Sequence, residues 1–565
     1  MTIGTNVTRT DGVRRRVIHW AMSLRALRGW QRALAAVASG VGCTLAMAPY
    51  YLLPLSMVGL CCLFLLLEGS RDETQANRSA FLTGWWFGFG YFLTGLYWMG
   101  FAFLVRAAEF AWMIPIAIPA FAGFLALFFA LPALSFAMLT KPFAKGRAQA
   151  SGTDDWVLRG GQILLFGGLI SFFEYARGHV LTGLPWNLLG QSMMVHPALA
   201  QTASLYGVYG LSLVLTLLSL LPVLDLSGRQ RMPFGLIVCI SGFVMLASFG
   251  MVRLGGTPDT DNKDVLISVI QPNIPQKDKG DPAKARENFD RLLSLSARAT
   301  DKQLMGENGG RAIRHVMIWP ENAVPWVGEQ PGVLREIGAA VGPQTVTFAG
   351  SLRRSYPSSG AAQFYNTIAV ISPAAGQGTS SVTGYYDKHH LVPFGEYLPM
   401  KDVLTAMGLS QLAPVQDGFS RGSGPAIVEV ADLKIAPLIC YEAIFPGALY
   451  PHGVRPDLLI TSTNDAWFGD NAGPKQHLDQ ARLRAIESGV PMARSANTGI
   501  SAMIDSYGRV RQRVSLYEAG VVLSALPARS ARPLYDQVGD GLWWGMVIMV
   551  LIGGMVMVVR ASRHG

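Results

Sequence analysis

Apolar residues fall along this chain in two regimes. Before about residue 255 they come in long runs broken by short polar or charged punctuation; beyond it the runs are short and alternate with polar stretches. A helix needs roughly 20 apolar residues to cross about 30 Å of hydrocarbon. Runs near that length lie at 33–48, 50–68, 80–104, 110–139, 160–176, 206–224 and 234–252, and an eighth, at 541–559, stops at Arg560. The pattern predicts a membrane domain of seven transmembrane helices over 1–252, an extramembrane domain over 253–538, and a last helix with its tail over 539–565. A basic start, an apolar stretch and Ala46-Met47-Ala48 would also suit a cleaved leader over the first span; the orientation downstream is the same either way.

Within 253–538 the period changes. VLISVIQ, HVMIWP, TVTFAG, NTIAVIS, IAPLIC, DLLITST and ISAMID read as strands, buried where the apolar run is continuous. PAKARENFDRLLSLSARA, PGVLREIGAA and PKQHLDQARLRAIESG read as helices. The expected fold class is a polytopic α-helical region of about eight transmembrane helices joined to an α/β domain.

Composition agrees: of 565 residues 50% are hydrophobic and 15% charged, which excludes a disordered or collagenous chain. The net charge of +10 leaves three partners open, namely nucleic acid, an anionic membrane surface, or the cytoplasmic side of a bilayer. Position decides among them. The 253–540 stretch is neutral, with 28 Lys and Arg against 28 Asp and Glu. The excess sits in the N-terminal segment (Arg9, Arg14, Arg15, Arg16, Arg25, Arg28, Arg32), in alternate loops (Arg71, Arg78; Lys141, Lys145, Arg147, Arg159; Arg229, Arg231) and in the tail (Arg560, Arg563). Retention of positive charge in the cytoplasm then predicts both termini cytoplasmic and the large domain on the opposite face, with no nucleic-acid partner.

At the end of the fifth span, FFEYARGHVLTGLPWNLLGQ places Glu174 and Arg177 at i, i+3. They read either as an ion pair that orients the loop or, for Arg177, as a contact for an anionic headgroup. The aromatic and glycine residues of GWWFGFGYFLTGLYW read as helix packing.

Of five cysteines, Cys43, Cys61, Cys62 and Cys239 fall in apolar spans, and Cys440 alone lies in the extramembrane domain. One thiol cannot close a disulfide within the domain, so it is either packed or used. Cys440 ends the run IAPLIC, Glu321 follows IWP, and YYDKHHLVPFGEYLP supplies Lys388 and Glu396. A carboxylate can take a thiol proton, and an ammonium together with the N–H after the nucleophile, that of Tyr441, can hold an oxyanion. Adjacent His389 and His390 suggest a metal, but neighbours on a strand face opposite ways and no ligand spacing accompanies them; no metal or cofactor is expected.

Taken in order, WPEN, YDKHHLVPFGEYLP, ICYE and TNDAWFG resemble the carbon–nitrogen hydrolase (nitrilase) superfamily. With seven spans before the domain, one after, and the TGLPW segment, the chain is similar to the apolipoprotein N-acyltransferase family of Gram-negative bacteria. That resemblance implies a four-layer α-β-β-α sandwich on the periplasmic face of the inner membrane, with Glu321 as general base, Lys388 as oxyanion partner and Cys440 as nucleophile. It gives supporting or substrate-binding places to Glu396, Tyr441, Glu442, Trp467, Phe468, Arg177 and Trp186. The implied reaction moves the sn-1 acyl chain of a phospholipid, with phosphatidylethanolamine the expected donor, through a thioester to the α-amino group of a diacylated apolipoprotein. One departure stands out: after NIPQ the family commonly carries Lys-Trp, whereas NIPQKDKGDP has Gly280 at the tryptophan position. The stretch 404–416, LTAMGLSQLAPVQ, reads as a lid dipping into the interface or as a surface loop. Two rival readings share parts of this pattern: a membrane-fused amidase or nitrilase that uses water as acceptor, and a transporter or receptor whose domain binds without catalysis.

Overall fold

The computed structural model describes residues 9–71, 73–143, 153–227, 233–256, 261–305, 314–356, 360, 362–374, 379–399, 418–430, 432–447 and 449–564. The chain divides into two compact units: Met1–Phe103, Ala108–Gly255 and Val538–Gly565 form the first, and Gly256–Gln537 with Leu104–Ala107 the second.

The first unit is helical. Among the described residues, six helices are long and apolar enough to cross a membrane: Leu53–Ser70, Ala107–Phe143, Asp155–His179, Ala203–Leu226, Phe234–Gly255 and Gly541–Arg563. Ala76–Gly95 and Tyr97–Leu104, bent by 55°, make a seventh if they act as one span. Eight were expected, and the difference lies in the first. The run 33–48 is helical as far as Thr44, in the helix Gly29–Thr44, whose 16 residues reach about 24 Å at 1.5 Å per residue, near the lower limit of about 17 residues for a crossing. This short helix packs backbone to backbone against Ala76–Gly95: a Cβ on Gly40 would lie 2.1 Å from the Phe87 carbonyl oxygen. The aromatic residues of Ala76–Gly95 pack on one another and on Phe129, whose ring stands 5.0 Å from Phe87 and 5.3 Å from Tyr91.

Among its described residues the second unit holds twelve strands: β1 (Asn262–Gln271), β2 (Arg314–Ile318), β3 (Thr345–Ser355), β4 (Gln363–Pro373), β5 (Ser380–Asp387), β6 (Val428–Val430), β7 (Leu433–Ile439), β8 (Leu458–Thr463), β9 (Met492–Ala496), β10 (Ser501–Ile504), β11 (Val510–Val514) and β12 (Gly520–Leu526). They form two six-stranded sheets, in the orders β12-β1-β2-β3-β4-β5 and β11-β10-β9-β8-β7-β6. Each sheet is parallel at its centre (β1-β2-β3 and β7-β8-β9) and antiparallel towards its edges.

Alternation along the strands sorts their side chains into three apolar layers. Val265, Ile267, Val269, Val316, Ile318 and Phe348 of one sheet meet Ile435, Ile439, Ile460 and Met503 of the other. On the far side of the first sheet, Ile270, Met317 and Ala349 pack with Leu292 and Leu295 of the helix Ala285–Met305 and Ile337 of the helix Pro331–Val341. Behind the second sheet, Ala436, Leu438 and Met492 meet Leu478, Ala481 and Ala485 of the helix Ala472–Ser488. The result is a helix-sheet-sheet-helix sandwich. Central strands buried on both faces explain the continuous apolar runs.

The seven expected strands are present, and five more join them. Four of these, β5, β6, β11 and β12, are the edges of the two sheets, where pairing on one side removes the need for an unbroken apolar run. The fifth, β9, is wholly buried but reads MARSA; its Arg494 is tolerated inside because it pairs with buried Asp465.

Gly350, on β3, lets the turn after β2 lie directly on the sheet. Ala323 and Val324 donate to its carbonyl at 2.8 and 3.1 Å, and a Cβ there would lie 2.1 Å from the Pro320 carbonyl oxygen and 2.7 Å from the Glu321 Cα. Gly350→Ala should cost about 1–3 kcal/mol by overpacking and speed amide exchange at Ala323 and Val324, read by hydrogen-exchange mass spectrometry; unchanged protection would contradict this account of the turn.

Candidate active site

Glu321, Lys388 and Cys440 each stand just beyond a strand, after β2, β5 and β7 respectively. Strand ends are where the ladder stops constraining the chain, so side chains from different strands can converge there. Lys388 is buried, 1% exposed, and its Nζ donates to Glu396 Oε1 at 2.9 Å and reaches Glu321 Oε1 at 3.5 Å. Asn366 of β4 joins the two carboxylates, its Nδ2 donating to Glu321 Oε1 and to Glu396 Oε1, both at 2.8 Å. The second Glu396 oxygen accepts the Val392 N–H at 2.8 Å. Burial alone would lower the Lys388 pKa; the Glu396 and Glu321 carboxylates outweigh it and hold the ammonium well above the ordinary lysine value.

Cys440 turns the chain out of β7 with φ +48°, a left-handed conformation that costs a non-glycine residue about 1–2 kcal/mol. Burial pushes its thiol up to about 12; the Glu321 charge adds to that and the Lys388 charge opposes it. At rest the group is therefore a thiol, and a base must take its proton before it can attack.

Buried Glu442 supports the elbow from the chain that precedes it. Its carboxylate accepts the Ile439 N–H at 2.7 Å, the Tyr386 hydroxyl at 2.9 Å, and the N–H groups of His389 and His390 at 2.7 and 3.2 Å. Burial opposes its ionisation, yet His389 and the Ile439 amide hold it below the usual carboxylate range. His389 and His390 lie in the loop after β5 rather than on a strand. His389 Nδ1 stands 2.7 Å from Glu442, and His390 stacks on Phe445 at 3.7 Å. Among the described residues no cluster of three His, Cys, Asp or Glu is arranged to hold a metal ion.

The other expected residues take several places. Tyr441 packs edge-on to Phe445 at 5.1 Å. Trp467 is exposed, and the Phe468 ring stands 6.2 Å from His477. Arg177 and Trp186 belong to the helical unit, where both are buried. The Arg177 guanidinium donates to the carbonyls of Leu184, Trp186 and Asn187 at 2.5, 2.7 and 3.2 Å and lies over the Phe92 ring, while Glu174 accepts the Leu189 N–H at 2.8 Å and stands 4.0 Å from Arg177. These contacts make the pair a brace for the TGLPWN loop. Gly280 is exposed at the end of the short helix Gln276–Lys279, with nothing within 4 Å of an added Cβ. The 404–416 stretch lies outside the described residues.

Four residues near the site escape sequence reasoning: Asn366, Asp465, His477 and Lys279. Lys279 Nζ donates to the Glu321 carbonyl at 2.6 Å, and burial lowers it to about 8 against the raising pull of Glu321 and Cys440. Its signal was its place in the NIPQKDKG segment, and that of Asp465 its place in TNDAWFG; Asn366 and His477 sit in a strand and a helix with no local mark.

Comparison with known proteins bears on both units. Residues 266–535 match the family described as Carbon-nitrogen hydrolase and residues 39–221 that described as Apolipoprotein N-acyltransferase N-terminal domain. The chain is 35% identical over 551 residues to the apolipoprotein N-acyltransferase of Brucella melitensis, covering 95% of this chain and 97% of that one. It is 35% identical over 546 residues to that of Rhodopseudomonas palustris, covering 95% and 96%. The chain belongs to the apolipoprotein N-acyltransferase family. A CN-hydrolase superfamily protein from Xanthomonas campestris is similar over 50% of this chain and 96% of its own, at 20% identity and a TM-score of 0.31. In this family member, then, a thiol, a carboxylate and a buried ammonium are gathered on the sandwich unit, and the brace of Arg177 lies in the helical one.

Because the Glu321 anion helps to raise the Cys440 thiol, Glu321→Gln should lower the pH at which the thiolate forms. Peptide-resolved iodoacetamide alkylation of Cys440 should still be climbing past pH 9 in the unsubstituted protein and should level off at lower pH in the variant. An unchanged or upward-shifted profile would show that Glu321 does not act on the thiol.

Proposed function

We propose that this chain transfers the sn-1 acyl chain of a membrane phospholipid, through a thioester on Cys440, to the N-terminal α-amino group of an S-diacylglyceryl-cysteine apolipoprotein. The observation that carries this reading is the buried Glu321–Lys388–Glu396 cluster, joined by Asn366, acting on a thiol at a left-handed strand end. Family membership supplies the substrate class.

In the first step Glu321 accepts the Cys440 thiol proton as sulfur bonds to the ester carbonyl carbon. Negative charge gathers on the carbonyl oxygen, where the Lys388 ammonium and the Tyr441 N–H stabilise it. Collapse breaks the carbon–oxygen bond, and Glu321 returns the proton to the departing sn-1 oxygen, leaving a thioester and a lysophospholipid. In the second step the acceptor's α-amine attacks the thioester, Glu321 takes the amine proton, and the cysteine sulfur leaves and is reprotonated. Glu396 and Asn366 hold Glu321 and Lys388 in register, and Glu442 holds the elbow. The lysophospholipid departs before the acceptor reacts, so the kinetics are ping-pong.

We assign the helical unit to the bacterial inner membrane with the sandwich on the periplasmic side and both termini cytoplasmic. The support is that 17 of the 19 Lys and Arg outside 253–540 lie in alternate loops and at both ends, Arg106 and Arg177 being the exceptions. The domains are then the membrane stretches 1–252 and 539–565 and the catalytic 253–538. Two substrates anchored in one leaflet suit a catalyst tethered beside it. A hydrolase that resolves the thioester with water would need no second lipid substrate, and it is the outcome to watch for in the test.

Incubation of the membrane-embedded protein with phospholipid labelled in its sn-1 chain should place the label on Cys440, seen by mass spectrometry, and addition of a diacylated lipopeptide should move it to that peptide's amine. Release as free fatty acid at the same rate with and without lipopeptide would favour the hydrolase. Cys440→Ala should abolish labelling, and Glu321→Gln should slow it by about 10²–10⁴, as expected for loss of a positioned base.

A further inference from the structure

Beneath the Cys440 elbow, on the side of the helix Ala472–Ser488, lies a buried group that the mechanism above does not use. His477, 1% exposed, points its Nε2 at the Cys440 carbonyl oxygen at 3.2 Å. A carbonyl oxygen cannot donate, so the proton lies on Nε2 and the imidazole is the donor. Its other nitrogen stands 2.9 Å from Asp465 Oδ1 and 3.1 Å from Arg494 Nη2, and Arg494 also holds Asp465 Oδ2 at 2.7 Å. All three side chains are buried. Burial opposes the charge on Asp465, but Arg494 and His477 hold its pKa at about 2, so the anchor of this relay stays ionised. Asp465 and Arg494 thus hold the plane of the imidazole ring from behind.

The Cys440 carbonyl is half of the peptide unit whose other half is the Tyr441 N–H. That unit is planar and trans, so its C=O and N–H point in opposite directions and cannot be aimed independently. Whatever fixes the carbonyl fixes the amide. Glu442 restrains the Leu438–Ile439 peptide, two units back, through the Ile439 N–H at 2.7 Å, but rotation about the Cys440 backbone, already at φ +48°, would still swing the Cys440–Tyr441 unit. A hydrogen bond into the carbonyl stops that rotation, and it also polarises the N–H on the far side of the same plane.

We infer that His477, oriented by Asp465 and Arg494, is a positioning residue that aims the Tyr441 N–H at the oxyanion. The inference rests on the acyl-enzyme reading above. It separates His477 from a role in activating the thiol: an oxyanion donor matters for attack on an ester carbonyl, whereas displacement of iodide from iodoacetamide by the same sulfur forms no oxyanion.

The test compares these two reactions at Cys440 in the full-length, membrane-embedded protein. His477→Leu should slow acylation by labelled phospholipid by about 10²-fold, the scale of losing one oxyanion donor, with the KM for phospholipid unchanged and iodoacetamide alkylation at the unsubstituted rate. His477→Gln, whose amide can present a donor near the Nε2 position, should recover most of the rate, while the shorter His477→Asn should not. Should His477→Leu fail to accumulate, the Gln and Asn pair decides alone. Acylation in His477→Leu within about threefold of the unsubstituted rate, equal rates in the Gln and Asn variants, or parallel loss of acylation and alkylation would each overturn the inference. Acylation by a p-nitrophenyl fatty ester keeps the outcomes apart. If phospholipid never labels Cys440 in the unsubstituted protein but the activated ester does, and His477→Leu slows only that ester, the donor assignment falls and the positioning role stands.

Discussion

An ammonium 1% exposed is stable only where anions share its cavity, because an unpaired buried charge costs several kcal/mol. Lys388 has two, Glu396 at 2.9 Å and Glu321 at 3.5 Å, and that requirement organises much of the sandwich. Two carboxylates this close would repel one another; with Lys388 and the Asn366 amide between them, the like charges are held in one polar network. The four groups come from the ends of β2 and β5, from β4, and from the loop after β5, so the first sheet must bring these strand ends together for any of them to be satisfied. The parallel β2-β3 pair and the antiparallel β3-β4-β5 meander do so.

The thiol arrives from the other sheet. Cys440 directly follows β7, and Ile439, which ends the strand, belongs to the apolar layer between the sheets, so the packing of that layer positions sulfur against the charge cluster. Two further buried anions flank the elbow. Glu442 gathers N–H groups from the chain before it and from the loop that carries Lys388, and Asp465 acts through His477 on the carbonyl after it. A left-handed cysteine is retained because both sides are tied down, as a strained backbone conformation requires.

What could be read along the chain was whatever leaves a mark in local pattern. Glu321, Lys388, Glu396, Cys440 and Glu442 were legible because each sits beside a strand end in a distinctive short motif. Asn366 was not: it stands at the head of the ordinary apolar run NTIAVIS within β4, and only the pairing of β4 with β3 and β5 turns its amide towards the carboxylates. Sheet edges escaped for a related reason, since β5, β6, β11 and β12 each pair with one neighbour only and carry mixed sequences. The first apolar run shows the opposite limit. The run continues to Ala48 but the helix stops at Thr44, and hydropathy counts apolar residues without regard to where the backbone turns.

The sequence by itself determined the two-part division, the apolar spans, the α/β character of the large unit and the thiol–carboxylate–ammonium set, because each depends on composition, periodicity or residues close in the chain. Tertiary structure alone decided which partners those groups meet. Arg177 could have faced a headgroup or a partner in its own loop, and burial against the carbonyls of Leu184, Trp186 and Asn187 makes it a brace. His477 could have been any helical histidine until the helix Ala472–Ser488 packed behind β7 and set its Nε2 on the Cys440 carbonyl. The physical reason is common to both. A hydrogen bond or ion pair acts over about 3 Å in space, and residues 37 positions apart, as His477 and Cys440 are, come within that distance only when the layers close.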